Sequence, residues 1–402
     1  MPRRALILVE GHRSNGPHYI QAGQRLNLHP ITLSAHPRQY DYIGVGKAAA
    51  EKIDTDNLDA MIHQCELLQS TYDIAGITGF AGRDETVYVT ASKLCRYFNL
   101  PGPDPVSVEG CADKFAQRQL LAHAGVPTPE YRVAETVPDV QESATEIGLP
   151  VVLKPVVGSG SSGVRLCHNA DDVTEHATYL LGAKNLSPRR ILIEEFAEGR
   201  HYSIDTMGTE VVAIGTADFG QLPHFVLRQS IFPAALTDDQ HKCMADVSLS
   251  CLRALGLGWG PANIELRWTK RGPVAIEVNP RLPGCSTPQL IELAYGIDLI
   301  AEHIKLLIGE ESNVHRRRWQ TAAARFLIPD RNGTLDWISG SRQAAAVPGV
   351  TEVQLHVQPK TQIIRKGDYL DSIGHIIAAS PSRTQTQAIL QRAADLISWS
   401  IT

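Results

Sequence analysis

At 402 residues, with 43% hydrophobic and 20% charged side chains, the chain is long enough for two to four domains, each with its own buried core. A formal net charge of -5 argues against a nucleic-acid partner, and no apolar run is long enough to span a bilayer, so no membrane partner is expected. The seven cysteines (Cys65, Cys95, Cys111, Cys167, Cys243, Cys251 and Cys285) are scattered and form no CxxC pair, which argues against a disulfide framework or zinc site and for reduced thiols in the cytoplasm.

The N-terminus carries basic Arg3 and Arg4 before the apolar run Ala5 to Val9, which stops at Glu10 and so reads as a first strand, not a signal peptide. Strand-like and helix-like segments then alternate to about residue 100: a turn through Asn15-Gly16-Pro17, a helix from His18, strands at 31–34 and 74–78, and a helix from Glu85 to Phe98. That alternation predicts a parallel sheet covered by helices. The Gly11 to Gly16 loop is read as a structural turn, because it lacks a dinucleotide fingerprint. Pro101-Gly102-Pro103-Asp104-Pro105 reads as a linker, followed by a helix that Asp113 opens and Gly125 with Pro127 ends.

Next comes a buried-looking strand, Pro150 to Val157, containing Lys154. The loop Gly158-Ser159-Gly160-Ser161-Ser162-Gly163 and a second strand from Val164 follow it. Glycines spaced with small hydroxylated residues offer backbone N–H donors without bulk, as a polyphosphate requires. A Walker loop would run into a helix, so this loop reads instead as a phosphate lid on a hairpin. Ile193-Glu194-Glu195-Phe196-Ala197 leads through Gly199 into another strand at Tyr202, and Leu222 to Ala235 reads as an apolar loop containing Arg228. A helix over 236–255 enters at Thr237-Asp238-Asp239.

Two apolar runs then flank Thr269-Lys270-Arg271-Gly272, the signature of a hairpin. Centred on Arg271, it sets Glu265 opposite Glu277, and like charges directly opposite destabilise a sheet. A hard cation would remove that penalty, with Asn279 on the same strand face as a third oxygen ligand suited to Mg2+. Arg281 points the same way again, so one face carries groups for metal and phosphate together. The small-residue turn Gly284-Cys285-Ser286 that follows reads as a site loop with free backbone donors. His315-Arg316-Arg317-Arg318 reads as a solvated basic linker, and the chain closes with a strand over 352–357 and an amphipathic helix bearing Ile389, Ala393, Leu396 and Ile397.

Asp113-Lys114, Val152-Leu153-Lys154-Pro155 with its Gly/Ser loop, Ile193-Glu194-Glu195-Phe196 and Glu277-Val278-Asn279-Pro280-Arg281 resemble, in order and spacing, the motifs of the ATP-grasp superfamily of carboxylate-amine ligases. Gly367-Asp368 and Ile373-Gly374-His375-Ile376-Ile377 resemble the last domain of L-amino acid ligases such as bacilysin synthetase. The resemblance implies an α/β and α+β multidomain fold: an N-terminal parallel-sheet domain over 1–110, an ATP-grasp domain over 111–310 with a lid at about 128–198, and a C-terminal α+β domain over 311–402. It implies that Lys114 and Lys154 contact the ATP phosphates beneath the loop Gly158, Ser159, Ser161 and Ser162, and that Glu194, Glu195, Phe196 and Ala197 form the adenine hinge. His201 stands where many relatives place a ribose-binding Glu. Glu265, Glu277 and Asn279 would bind two Mg2+ ions, with Mn2+ as substitute, and Arg281 would act with Lys154 in catalysis. Gly284, Cys285 and Ser286 would face substrate. Leu227 replaces the acid that similar ligases use for a substrate amino group, and Arg228 points to a substrate with an additional carboxylate.

The expected reaction joins a small-molecule carboxylate to an amine through an acyl-phosphate, releasing ADP and phosphate; a homodimer is allowed. The alternatives are a bicarbonate-using enzyme of the biotin carboxylase or purine-pathway type, and a non-catalytic ATP-binding module.

Overall fold

The computed structural model describes residues 2–43, 49–80, 85–182 and 189–402, so 183–188 of the expected lid lie outside it. β1 (Arg3–Val9), β2 (His29–Ser34), β3 (Ala49–Lys52) and β4 (Tyr72–Gly79) form a four-stranded sheet in the order β3-β2-β1-β4, parallel throughout. Helices α1 (Gly16–Arg25), α2 (Leu58–Gln69) and α3 (Thr86–Tyr97) alternate with the strands. Both faces are covered, because β1 is apolar in consecutive positions: Ala5, Ile7 and Val9 pack on one side and Leu6 and Leu8 on the other. The Gly11–Gly16 loop is packed so tightly under Tyr42 that a Cβ at Gly16 would lie 2.1 Å from the phenol oxygen.

α4 (Pro105–Ala112) starts where the linker ends, with Asp104 accepting from Ser107 N at 3.0 Å. Asp113 caps α5 (Lys114–His123), accepting from Phe115 N and Ala116 N at 2.8 and 3.0 Å. A second sheet holds β5 (Tyr131–Ala134), β6 (Val151–Pro155), β7 (Arg165–Cys167) and β8 (Ile191–Glu195) in the antiparallel order β5-β8-β6-β7. α6 (Val137–Ile147) and α7 (Ala170–Gly182) bury one face of it through Val140, Ala144, Val173 and Ala177.

The largest sheet begins with β9 (Arg200–Met207), β10 (Glu210–Phe219) and β11 (Leu227–Phe232). Arg228 therefore lies on a strand, not in the loop that the sequence suggested, because Leu227 to Phe232 pairs on both sides, with β10 and with a later strand. α8 (Asp238–Ala254) opens with a complete capping box between Thr237 and Gln240. β12 (Pro261–Thr269) and β13 (Gly272–Asn279) form the expected hairpin, and α9 (Thr287–Tyr295) and α10 (Leu299–Leu307) follow. The basic run is not a free linker: Arg316 stacks 4.4 Å over the Tyr295 ring and donates to Val212 O at 3.1 Å.

β14 (Thr321–Leu327), β15 (Gly333–Ser339), α11 (Ser341–Ala345), β16 (Val350–Leu355), β17 (Gln362–Ile363), β18 (Gly374–Ser380), α12 (Arg383–Ala394) and β19 (Ser398–Ile401) complete the chain. The eight-stranded sheet runs β13-β12-β9-β10-β11-β14-β18-β16, so main-chain pairing of β11 with β14 carries it through residue 311. α12 is shorter than the sequence pattern suggested: it ends at Ala394, leaving Leu396 half-exposed outside it and Ile397 buried in the turn to β19.

Candidate active site

The site is built on the β12-β13 hairpin. Its turn pairs Thr269 with Gly272, and a regular ladder from there would set Glu265 opposite Ile276. A bulge at Ile276 inserts one residue, since Leu266 faces Ala275 and Glu265 then faces Glu277. The facing acids predicted from a centre at Arg271 are thus present, through a bulge and not through a symmetric turn.

Two residues of α5 hold that bulge. Arg118, 1% exposed, donates to the carbonyls of Ala275 and Ile276 at 2.9 and 2.6 Å. Gln117 makes a two-way contact with Val278, donating to its carbonyl at 2.7 Å and accepting from its N–H at 2.9 Å. β13 ends its sheet, so these side chains take the place of a missing neighbouring strand.

The same helix supplies Lys114, whose ammonium lies 3.0 Å from Glu277 Oε1 and donates to Gly158 O at 2.5 Å. Lys154, on β6, lies 2.6 Å from Glu194 Oε2, and Arg118 reaches Glu194 Oε1, also at 2.6 Å. Burial lowers the Lys154 ammonium against the pull of Glu194. Burial would raise the Glu194 carboxyl, but Arg118 and then Lys154 outweigh it and hold it below its usual range. The Glu194 carboxylate is therefore occupied by two cations, and its main chain lies between β5 and β6 in the sheet. Glu195 points outward, where a single Arg271 nitrogen, Nη2, donates to both of its oxygens at 2.8 and 2.7 Å. The Phe196 ring lies 4.9 Å beneath the Arg267 guanidinium, which also donates to Ala197 O at 3.0 Å.

His201, on β9, lies 3.2 Å from Glu265 Oε2. Burial pushes the Glu265 carboxyl up, but His201, followed by Arg281 and Lys154, brings it below its ordinary value. Asn279 is buried opposite Asn263. Asn263 donates to Ser203 Oγ at 2.8 Å and to Asp205 Oδ1 at 3.0 Å. The other Asp205 oxygen is buried without a partner among the described residues, and burial pushes that carboxyl up to about 7. Among the described residues, no three His, Cys, Asp or Glu side chains cluster closely enough to hold an ion alone. Two facing carboxylates and an amide do fit Mg2+, which takes its remaining oxygens from phosphate and water.

Arg281 is clamped bidentately by Glu85 at 2.7 and 3.0 Å, and Glu85, just before α3, is 3% exposed. Burial opposes the guanidinium charge, but Glu85 raises Arg281 above its ordinary value. The loop after Arg281 turns through left-handed Cys285 and Ser286, at φ 53 and 62. Ser286 N approaches Ser14 Oγ at 3.4 Å, Ser286 Oγ approaches His375 Nε2 at 3.4 Å, and a Cβ on Gly284 would lie 3.5 Å from the His12 ring. Residues from both ends of the chain thus fix the loop. Burial pushes the Cys285 thiol up to about 11, leaving it un-ionised.

Ser159 and Ser161 lie in the Gly/Ser loop between β6 and β7, and Ser162 N donates to Ser159 O at 3.3 Å. Arg228 stands apart: it is exposed, with Nε 2.4 Å from where a Gly220 Cβ would lie, and makes no hydrogen bond or ion pair with these groups. Sequence reasoning missed Glu85, Gln117, Arg118 and Asp205. For Gln117 and Arg118 a signal existed, since with Lys114 they place three polar residues at helical spacing on one face of α5.

Comparison with known proteins agrees with this geometry. An ATP-grasp domain family model matches residues 147–289, and one described as L-amino acid ligase C-terminal domain 2 matches residues 325–402. The chain is 55% identical over 401 residues to the uncharacterised protein y4rH of Sinorhizobium fredii, covering 99% of this chain and 83% of that one. It is 29% identical over 256 residues to carnosine synthase 1 of Homo sapiens, but that match spans 57% of this chain and 30% of the synthase. A crystal structure of L-amino acid ligase from Bacillus licheniformis superposes over the full length of both chains with a TM-score of 0.85 at 20% identity, a likeness of fold. The chain accordingly belongs to the ATP-grasp superfamily of carboxylate-amine ligases, in its L-amino acid ligase branch, and is an ATP-dependent ligase.

Proposed function

We propose that this ligase joins a small-molecule carboxylate to an amine, forming an amide through an acyl-phosphate. The observation that carries this reading is the directly opposed Glu265 and Glu277, flanked by Lys114 at 3.0 Å on one side and His201 at 3.2 Å on the other. Like charges directly opposite destabilise a ladder, and a divalent cation between the two acids would add to the relief that Lys114 and His201 give them. Glu265, Glu277 and Asn279 would hold Mg2+, which would supply neutralisation of the triphosphate. Lys114 and Lys154 would exchange their present oxygen partners for phosphate oxygens, and the segment Glu194 to Ala197 would receive the adenine.

In the first half-reaction a substrate carboxylate oxygen attacks the γ-phosphorus, and the bond to the β-γ bridging oxygen breaks to release ADP. In the second, an amine attacks the acyl carbon, loses a proton, and expels inorganic phosphate. Arg281, held by Glu85, would offer a fixed two-pronged donor to the acyl-phosphate and to the oxyanion that follows. We propose the division of labour expected from the sequence: residues 111–310 bind nucleotide and metal, with the N-terminal 1–110 and C-terminal 311–402 units closing the substrate side.

The test is a phosphate-release screen of acid and amine pairs with ATP and Mg2+, followed by mass measurement of the product. A pair-dependent product with the mass of acid plus amine minus water is expected. ATP turnover that depends on bicarbonate, with no amide formed, would overturn the reading.

A further inference from the structure

The Gly/Ser loop does not lie free over the site. Its centre is seated on the C-terminal unit, on the short helical turn Tyr369–Asp371, which the reaction described above does not use. Tyr369 N donates to Gly160 O at 3.1 Å, and the Tyr369 ring lies flat enough on Gly160 that a Cβ there would fall 2.2 Å from Cδ1. Gly160 also holds φ +65, so both space and backbone require glycine at this point. Two residues on, Ser162 is near enough to the Asp368 carboxyl to offset part of the upward push of burial on it.

The seat is rigid. Asp371 accepts from Lys366 N and Gly367 N at 2.7 and 3.0 Å, and Asp368 accepts from Leu370 N at 2.8 Å. Gly367 is pressed on the His224 ring, and His224 bridges Arg165 at the base of the same hairpin. Burial raises the Tyr369 phenol above its ordinary value, and the neighbouring Asp368 adds to that. One residue of the C-terminal unit therefore touches the loop that would cover phosphate through both its main chain and its ring. It is still 42% exposed, as suits a contact that must part when the loop lifts.

We propose that Tyr369 is a positioning residue on which the phosphate loop closes, so that the closed loop shields the acyl-phosphate from water. This rests on the ligase reading above, because water that reaches an acyl-phosphate returns acid and phosphate and spends ATP without product.

The experiment measures ADP released per amide formed, with hydrogen exchange of residues 158–163 read with and without ATP and Mg2+. Tyr369→Ala is expected to raise the ADP-to-amide ratio about fivefold or more and to abolish nucleotide-dependent protection of the loop. Tyr369→Phe, which keeps the ring and main chain, should leave both near the wild-type values. Gly160→Ala approaches the same contact from the other side, and Tyr369→Ala added to it should change the ratio no further. An unchanged ratio and full loop protection in Tyr369→Ala would overturn the inference while leaving the ligase reading standing. Tyr369-dependent protection without amide from any pair would sink the ligase reading and keep the seat; no nucleotide-dependent protection in the wild type would sink the seat alone.

Discussion

Arg118 carries more of the site than any residue that the motifs single out. It is 1% exposed and bonds Glu194 and two carbonyls of the bulge. Arg118→Met leaves Glu194 with Lys154 alone and uncovers two buried carbonyls. Breaking a buried pair by removing one partner costs about 3–5 kcal/mol, so the urea midpoint should fall accordingly. A loss under about 1 kcal/mol would show that Lys154 and water replace it fully. Asp205 makes a different prediction. Its folded value of about 7 stands above the ordinary 3.8, so between these limits the folded state binds more protons than the unfolded one. Stability must then fall as pH rises through this window, by on the order of 4 kcal/mol. Asp205→Asn should remove that slope, seen by comparing urea unfolding at acid and neutral pH; equal slopes in both proteins would refute it. Lysines and acids beside glycine or proline were legible in the sequence, whereas Glu85 and Asp205 were not. A buried acid in a strand or before a helix looks like any surface acid until its partner, 196 residues away for Glu85, is known.

At the scale of elements, the hairpin shows what a pattern can and cannot give. A centre taken at Arg271 set Glu265 against Glu277, but the Thr269–Gly272 turn reaches that register only through the bulge at Ile276, which leaves no mark in the sequence because the carbonyls that stabilise it are answered from α5. Leu227 to Phe232 was misread as a loop for a related reason: it lies between two partners distant in sequence, and Arg228 faces outward, so its local composition shows no clear period. If the hairpin acids are the metal ligands, ATP with Mg2+ should stabilise the folded protein by about 2.7 kcal/mol at a hundredfold excess over its dissociation constant. Glu277→Gln should lose most of that gain, read as the shift in melting temperature on adding ATP and Mg2+, while ATP alone should shift both proteins little. A full Mg2+-dependent shift in Glu277→Gln would remove this strand from the metal site.

Across the whole molecule, the three regions are bound by one apolar core. Leu6 and Leu8 of β1, Tyr19 and Ile20 of α1, Leu290 and Ile291 of α9, Ala322 and Ala324 of β14 and Ile377 of β18 belong to a single buried cluster. The parallel sheet itself was legible from alternating segments; its docking was not, since α10 meets β4 across more than two hundred residues. Gly76 marks the place: a Cβ there would lie 3.0 Å from Leu307 Cβ and 3.0 Å from Leu307 O. Gly76→Ala should therefore cost roughly 1–3 kcal/mol by overpacking, lowering the melting temperature of the whole chain in one transition, because the cluster couples the regions. The usual remedy of trimming the neighbour should fail. Both atoms that the new methyl meets survive in Leu307→Ala, and that change alone costs about 2–5 kcal/mol as a buried leucine truncation. The double variant should accordingly be less stable than either single one. Recovery in the double variant would mean that the leucine side chain, and not the α10 backbone, sets the spacing between the N-terminal sheet and the body that carries Arg281.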